Sequence, residues 1–370
     1  MPRPRRPYSE AVWRYYFGGK SQQAIAAEDG LPLGTVKSRL HDARIMLREA
    51  MSEMGKKLDG LEWKSAWTSH IGCVRGCMEF LGLGVSEAWV FGGTGHAFVI
   101  NVHPGLCPSG PTAWATYMLH ELAPNIGCAQ TIVHGDKSQG DLFAGAQKEA
   151  WDKVRAAIDA GLPCYGWELD IPEFYVINGY DDVGYLYSGP SPTNSTGPKP
   201  WRELGDSGIG CVEVYKVEAC SPAPDDVVVK QAIAKALRHA EAPPEWVYPQ
   251  YRSGPKAFEA WADALAEGKA GRFGLGYNAA VWEECRRNAV AFLREARQRL
   301  AGRSDGLFDE AIEHYTSVHS KLNALVVLYP FDAKTGSEEV RSPEGAELMR
   351  AAAQAEAQGL EVLRQLAQAL

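Results

Sequence analysis

Two sets of side chains in this sequence have types and spacings that can do chemistry. Lys37, Ser38, His41 and Arg44 fall on one face of a helix predicted over residues 34–54, with Thr35 at its start and Arg39 and Arg48 on its flanks. Such a face offers cations to phosphates and donors and acceptors to base edges. The second set is Cys73 and His96. Cys73 is predicted near the start of a helix, where free backbone N–H groups and the helix dipole lower a thiol's pKa and so activate a nucleophile. His96, presented by the tight backbone of Gly92-Gly-Thr-Gly95, is the candidate base, with Asp181 or Asn178 to orient its ring. A plainer reading stands beside each. Cys73 and Cys77, next to Met78 and Leu81, equally make a buried helix face, and His96 before an apolar run equally makes a core histidine. The basic face can also be the solvated side of a helical hairpin.

Three short helices, predicted over residues 9–17, 21–28 and 34–54, must position the basic face. Gly18-Gly19 ends the first, Ser21 is the candidate N-cap of the second, and Asp29-Gly-Leu-Pro32 turns the chain into the third. Val36, Leu40, Ala43 and Leu47 recur at helical spacing and are expected to pack on Ile25 and Val12. A helix, a glycine-containing turn and a second helix with a basic outer face make the helix-turn-helix arrangement, whose second helix enters the major groove.

Cys73 and His96 belong to a different kind of segment. Residues 61–220 are richer in Gly, aromatic and β-branched residues, and predict a helix over 72–82 followed by strands at 97–102, 168–178, 183–188 and 211–217. Gly179-Tyr-Asp-Asp182 is the expected hairpin turn, and the pattern is α+β. From residue 225 onward the apolar period is helical, over 226–240, 254–267, 276–301, 305–328 and 343–370, which predicts an α-helical bundle. Ser342-Pro343 and Ser304-Asp305 open its last two helices. A ligand pocket is expected between sheet and bundle, with Glu173, Tyr175, Tyr277 and Trp282 as its candidate lining. The glycines of 92–95 lack the order of a dinucleotide fingerprint, and Cys73 and Cys77 have no second close pair, so neither a cofactor nor a metal is expected.

Length and charge agree with a multidomain chain of this order: 1–57, 61–220 and 225–370. At 370 residues it exceeds one ordinary core. Residues 1–57 hold 11 Lys/Arg against 6 Asp/Glu, a surplus of +5, which leaves −13 for the rest of the net −8. Only the head is therefore expected to meet a polyanion. Eight scattered cysteines argue for reduced thiols. No apolar run reaches the eighteen or so residues of a membrane span, and Met-Pro-Arg-Pro-Arg-Arg6 is not a secretory start, so a cytoplasmic protein with no membrane contact is expected.

Two resemblances sharpen these expectations. Ser21-Gln-Gln-Ala-Ile-Ala-Ala-Glu28, with Gly34-Thr-Val-Lys-Ser-Arg-Leu40 and Leu47-Arg-Glu-Ala50, resembles region 4 of bacterial sigma-70-family factors. That resemblance implies contact with promoter-like duplex DNA near the −35 element through Thr35, Lys37, Ser38, Arg39 and His41, and implies RNA polymerase core as a partner. Only eight residues precede the helices, so initiation by this chain alone is not expected.

His70-Ile-Gly-Cys73, with Phe80-Leu-Gly82 and Val85-Ser-Glu-Ala-Trp-Val-Phe-Gly-Gly-Thr-Gly-His-Ala-Phe98, resembles the N-terminal domain of the butirosin biosynthesis protein H family. The segment is also similar to bacterial papain-like cysteine peptidases, and Phe174-Tyr-Val-Ile-Asn-Gly-Tyr-Asp-Asp182 resembles their histidine-bearing strand and turn. The resemblance implies a papain-like α+β fold and acyl chemistry, with Glu173 standing where the histidine belongs. Three functions follow: a DNA-binding regulator whose body senses an unidentified small molecule, a cysteine acyltransferase or amide hydrolase, and a specialised sigma factor.

Overall fold

The computed structural model describes residues 13–53, 55–113, 115, 117–336 and 338–370, with the side chains of 45–53, 117 and 119 excepted. The first predicted helix is thus described only from Trp13, as a π-helical turn, Trp13–Phe17. Val12 and the side chain of Leu47 lie outside the described residues.

Helix α1, Gln22–Asp29, begins where Ser21 Oγ accepts a hydrogen bond from the Ala24 N–H at 3.2 Å. It ends where Gly30 takes the left-handed conformation at φ 61°, open to glycine without a Cβ penalty. Helix α2, Leu33–Glu53, follows directly. Ile25, Ala26, Val36 and Leu40 form a small core of their own, with Tyr15, Leu31 and Leu33 packed against it.

The rest of the chain shares one continuous core, in which residues of the sheet region and of the helical region are buried together. Seven strands make an antiparallel sheet: β1 Lys56–Lys57, β2 Cys128–Asp136, β3 Cys164–Trp167, β4 Phe174–Tyr180, β5 Gly184–Ser188, β6 Lys199–Pro200 and β7 Cys211–Ala219. Their order is β2-β7-β3-β4-β5-β6, with β1 pairing the far end of β4. Side chains alternate across it. On one face Tyr165 stacks on Tyr215 at 4.4 Å and meets His70 of helix α3, Ser69–Phe80. The short helix α4, Glu87–Gly93, follows, opened by Ser86. On the other face lies α5, Asp141–Asp159, brought against the sheet where a Cβ on Gly135 would stand 2.4 Å from that of Ala146.

Among the described residues, five long helices follow the sheet, α6 Asp225–Ala240, α7 Pro255–Glu267, α8 Arg272–Arg299, α9 Asp305–Leu328 and α10 Pro343–Ala369, and a short helical turn, Tyr117–His120, lies before β2. The expected stripe Val281, Cys285, Ala289, Phe292 and Ala296 is buried throughout. Ser342 caps α10 by accepting from the Gly345 N–H at 3.0 Å, whereas Ser304 is left-handed at φ 58° and makes no side-chain cap.

The strand predicted over 97–102 is corrected. His96–Phe98 is a 3-10 turn, and only Asn101–Val102 is extended, paired with Arg252–Ser253. Arg286 of α8 donates to the carbonyls of Ala97 and Val99 at 2.9 and 3.0 Å, so these oxygens already have a partner outside any sheet ladder. The same guanidinium grips Glu356 of α10 at 2.7 and 2.9 Å. Gly92 lets α4 lie on α8, since a Cβ there would fall 1.9 Å from the Phe292 ring. The glycine-rich stretch is thus a packing device.

Candidate functional site

A narrow cleft opens where α3, the start of β4 and α8 converge. Its free volume is about 10 Å³, room for roughly one water molecule. Ser69, in the first turn of α3, donates its hydroxyl hydrogen to one oxygen of Glu173, and Tyr277 of α8 donates to the other. Ser69 Oγ also accepts from the Phe174 N–H at 3.0 Å. Each oxygen of Glu173 is thus held by one hydroxyl. Burial raises its pKa above the ordinary carboxylate range, while the two hydroxyl donors oppose that rise. Thr68 and Trp67 close one side: the Thr68 N–H donates to Glu284 at 2.9 Å, and Trp67 stands edge-on to Tyr277.

Of the expected residues, the structure brings Glu173, Tyr277 and His96 to this cleft. Cys73 lies one helical turn deeper in α3, fully buried and outside the cleft lining. Burial, with the Glu173 carboxylate nearby, pushes its thiol well above the usual range, the reverse of the expected dipole-lowered thiolate. The helix begins at Ser69, so Cys73 is its fifth residue and sits past the free N–H groups. His96 is held neutral, its pKa lowered to about 3 by burial and by Lys235.

Asp181 is a turn residue, its Oδ1 accepting the N–H groups of Val183 and Gly184 at 2.9 Å each, and not an orienting partner for His96. Asn178 Nδ2 reaches the Leu61 carbonyl at 3.4 Å. Tyr175 alternates to the sheet face opposite Phe174 and packs on Tyr187 at 5.3 Å. Trp282 is fully buried inside the helical region, its indole N–H donating to Asn278 at 3.2 Å. Neither lines the cleft. Sequence reasoning missed Thr68, Ser69 and His70. Thr68-Ser69 was the available signal, since these residue types open helices.

The inner wall of the cleft, with His70 and His96, continues into a layer of buried imidazoles. His70 sits between His96 and His120, with ring centroids 6.2 and 5.7 Å away, and its Nε2 pairs with the Tyr165 hydroxyl at 3.2 Å. Lys235 of α6 donates to the carbonyls of Thr94 and Met118, and burial lowers its pKa to about 7. Among the described residues no group of three or more His, Cys, Asp or Glu side chains is arranged to hold a metal ion.

In the head, Lys37, Ser38, His41 and Arg44 are exposed on α2, on the side away from Val36 and Leu40; Thr35 and Arg39 are half-buried. Arg44 is held by Tyr16, to whose hydroxyl it donates at 2.6 Å. Arg14 pairs with Asp29 at 2.6 Å and Lys20 with Glu28 at 2.6 Å, so acidic α1 ties down the cations nearest to it. Lys37, Ser38 and His41 face outward from a helix-turn-helix, beside the Tyr16-bound Arg44.

Residues 6–47 match the family model Sigma-70, region 4. The head is therefore a sigma-70 region 4 domain, the kind of module associated with DNA binding and transcription, and the match ends before the body begins. No curated protein matches the chain. Among the described residues no helix is long and apolar enough to cross a membrane.

Proposed function

We propose that this protein is a DNA-binding transcription regulator whose region 4 head docks α2 in the major groove, and that its body has a papain-like fold and serves as its sensing part. The observation that carries this reading is the region 4 match on a unit whose second helix exposes Lys37, Ser38 and His41. Thr35 and Arg39 flank that face, and these two and Arg44 are assigned contacts to the DNA backbone. The net charge supports the division of labour, since the surplus of +5 sits in residues 1–57. The test is fluorescence anisotropy of the full chain on a 30-base-pair mixed-sequence duplex over a salt series. Lys37→Ala is expected to weaken binding and to lower the slope of log K against log salt by about one. Unchanged affinity and slope overturn the reading. Binding of the full chain to RNA polymerase core would assign it instead to the sigma factors proper.

A second reading is acyl transfer or amide hydrolysis, and the observation that favours it is Ser69 rather than Cys73. A hydroxyl in the first turn of a helix, donating to a carboxylate of raised pKa, has the parts of a nucleophile and its base. A fluorophosphonate probe separates the readings: labelling lost in Ser69→Ala supports the enzyme, and absence of labelling supports the sensor.

A further inference from the structure

The cleft at Ser69 has room for about one water, but a larger hollow lies on the opposite face of the sheet. It has about 320 Å³ of free space between the C-terminal half of α5 and strands β2, β7 and β3. Its walls are Val133, Val154, Ala157, Leu162, Cys164 and Val214. The space follows from the sequence of α5. Near its start the Gly135–Ala146 approach seats the helix on the sheet, whereas toward its end the helix offers Ala156, Ala157 and Ala160, too short to fill the gap.

The charged groups of the hollow are both cationic. Thr131, Lys216 and Cys164 lie side by side across β2, β7 and β3, and Lys153 stands opposite on α5. Both lysines reach solvent, and among the described residues no acidic side chain lines the hollow. Each lysine leans on a glutamate of its own element, Lys153 on Glu149 at 2.7 Å and Lys216 on Glu218 at 2.5 Å. Exposed pairs of this type are weak and exchange readily for another anion.

We infer that this hollow binds an amphipathic carboxylate, with an apolar tail between α5 and the sheet and its head between Lys153 and Lys216. At roughly 30 Å³ for each methylene-sized group, the space takes a tail of about ten carbons. The volume is in the range of small-molecule sites, and the combination of apolar walls with a few convergent polar groups is their usual make-up. Cys164 contributes a wall and not a nucleophile, because burial pushes its thiol up to about 12.

The experiment is calorimetric titration of the full chain with octanoate, decanoate, decanol and decyltrimethylammonium, each below its micelle concentration. Decanoate is expected to bind with a stoichiometry of one. Octanoate should bind about 16-fold more weakly, from roughly fourfold per methylene. Decanol should lose about tenfold and the cationic analogue more. Lys153→Gln/Lys216→Gln, a change at solvent-reaching positions, should reduce decanoate affinity about tenfold and leave decanol unchanged. Ala157→Phe fills the hollow and should abolish binding of all four. Decanoate binding no tighter than decanol, unaltered decanoate affinity in the double lysine variant, or no binding at all overturns the assignment. Should Ala157→Phe not fold, the lysine variant decides alone.

Discussion

Ser69 donates its hydroxyl hydrogen to Glu173 from the first turn of α3, and Cys73, one turn further in, is sealed in the core. The position that faces the carboxylate therefore carries oxygen instead of sulfur. Its hydroxyl is also an acceptor for the Phe174 N–H, so the serine joins the start of the helix to the start of β4. Both oxygens of Glu173 are engaged, the second by Tyr277. This set of bonds ties α3, β4 and α8 together at one point.

Thiol accessibility follows from the same geometry. Cys107 is exposed, Cys211 and Cys220 are half-buried, and Cys73, Cys77, Cys128, Cys164 and Cys285 are buried. Timed alkylation read by peptide mass spectrometry is expected to modify Cys107 first and Cys73 only on unfolding. Burial and Glu173 disfavour the reactive thiolate of Cys73, and the core excludes the reagent. Rapid modification of Cys73 in the native protein would contradict the placement of its side chain.

Helical periodicity made the head and the helical region legible. Caps at Ser21 and Ser342 and the buried stripe from Val281 to Ala296 are local signals, and the structure shows them where residue types put them. Of the sheet, β4, β5 and β7 were legible as strands, whereas β2, Cys128–Asp136, and β3, Cys164–Trp167, were not, and neither was the order, because β7 inserts between β2 and β3 through contacts far apart in sequence. The cleft was displaced by one helical turn for a similar reason. Apolar spacing fixes which face of α3 is buried but not where the helix starts, and the start decides whether Ser69 or Cys73 meets Glu173. Trp282 and Tyr175 were aromatic and well placed in sequence, but alternation in β4 and burial in α8 turn them into core.

The buried pair Arg286–Glu356 has both side chains fully removed from solvent. Removing one partner leaves an uncompensated charge, and Arg286 also satisfies two carbonyls. Arg286→Met is expected to destabilise the body by about 3–5 kcal/mol in urea denaturation. Arg286→Met/Glu356→Leu should recover part of that loss, because the second change removes the stranded carboxylate while the Ala97 and Val99 carbonyls stay unpaired. A double variant no more stable than Arg286→Met would show that the carbonyl contacts carry the whole effect.

Acid should loosen the body through its imidazole layer. Burial first, and then Lys235, holds His96, His120 and His239 at about 3, and burial lowers His70 as well. In the unfolded chain these groups titrate near 6.5, so between pH 6.5 and 3 the unfolded state binds more protons and stability falls as pH falls. Each imidazole contributes up to about 1.4 kcal/mol per pH unit within that window. Lys235, lowered to about 7, acts with the same sign between 10.5 and 7. Glu173, Glu284 and Glu356 are raised by burial and act oppositely, losing stability as pH rises above the ordinary carboxylate range. The urea midpoint is expected to drop from pH 7 to pH 5. His120→Phe, at a ring whose two nitrogens meet no hydrogen-bond partner among the described residues and which packs on Tyr215 at 4.5 Å, should flatten that slope by about one proton. Equal midpoints at pH 7 and pH 5 would refute this account.

The head has a core separate from that of the body, and this makes its contribution to DNA binding separable. Ile25, Ala26, Val36 and Leu40 enclose very little apolar surface, so each methyl counts for a large share of the stability of the unit. Leu40 is 1% exposed, and Leu40→Ala removes a buried side chain at a usual cost of about 2–5 kcal/mol. A unit this small cannot absorb such a loss, and the α1–α2 turn that presents Lys37 should open. The body shares no part of this core, so its unfolding transition should keep its midpoint. The expected result is loss of duplex binding in Leu40→Ala with the main calorimetric transition unmoved. A shift of that transition by several degrees would mean that head and body fold as one unit, and retained binding would mean that the DNA-contacting surface lies elsewhere.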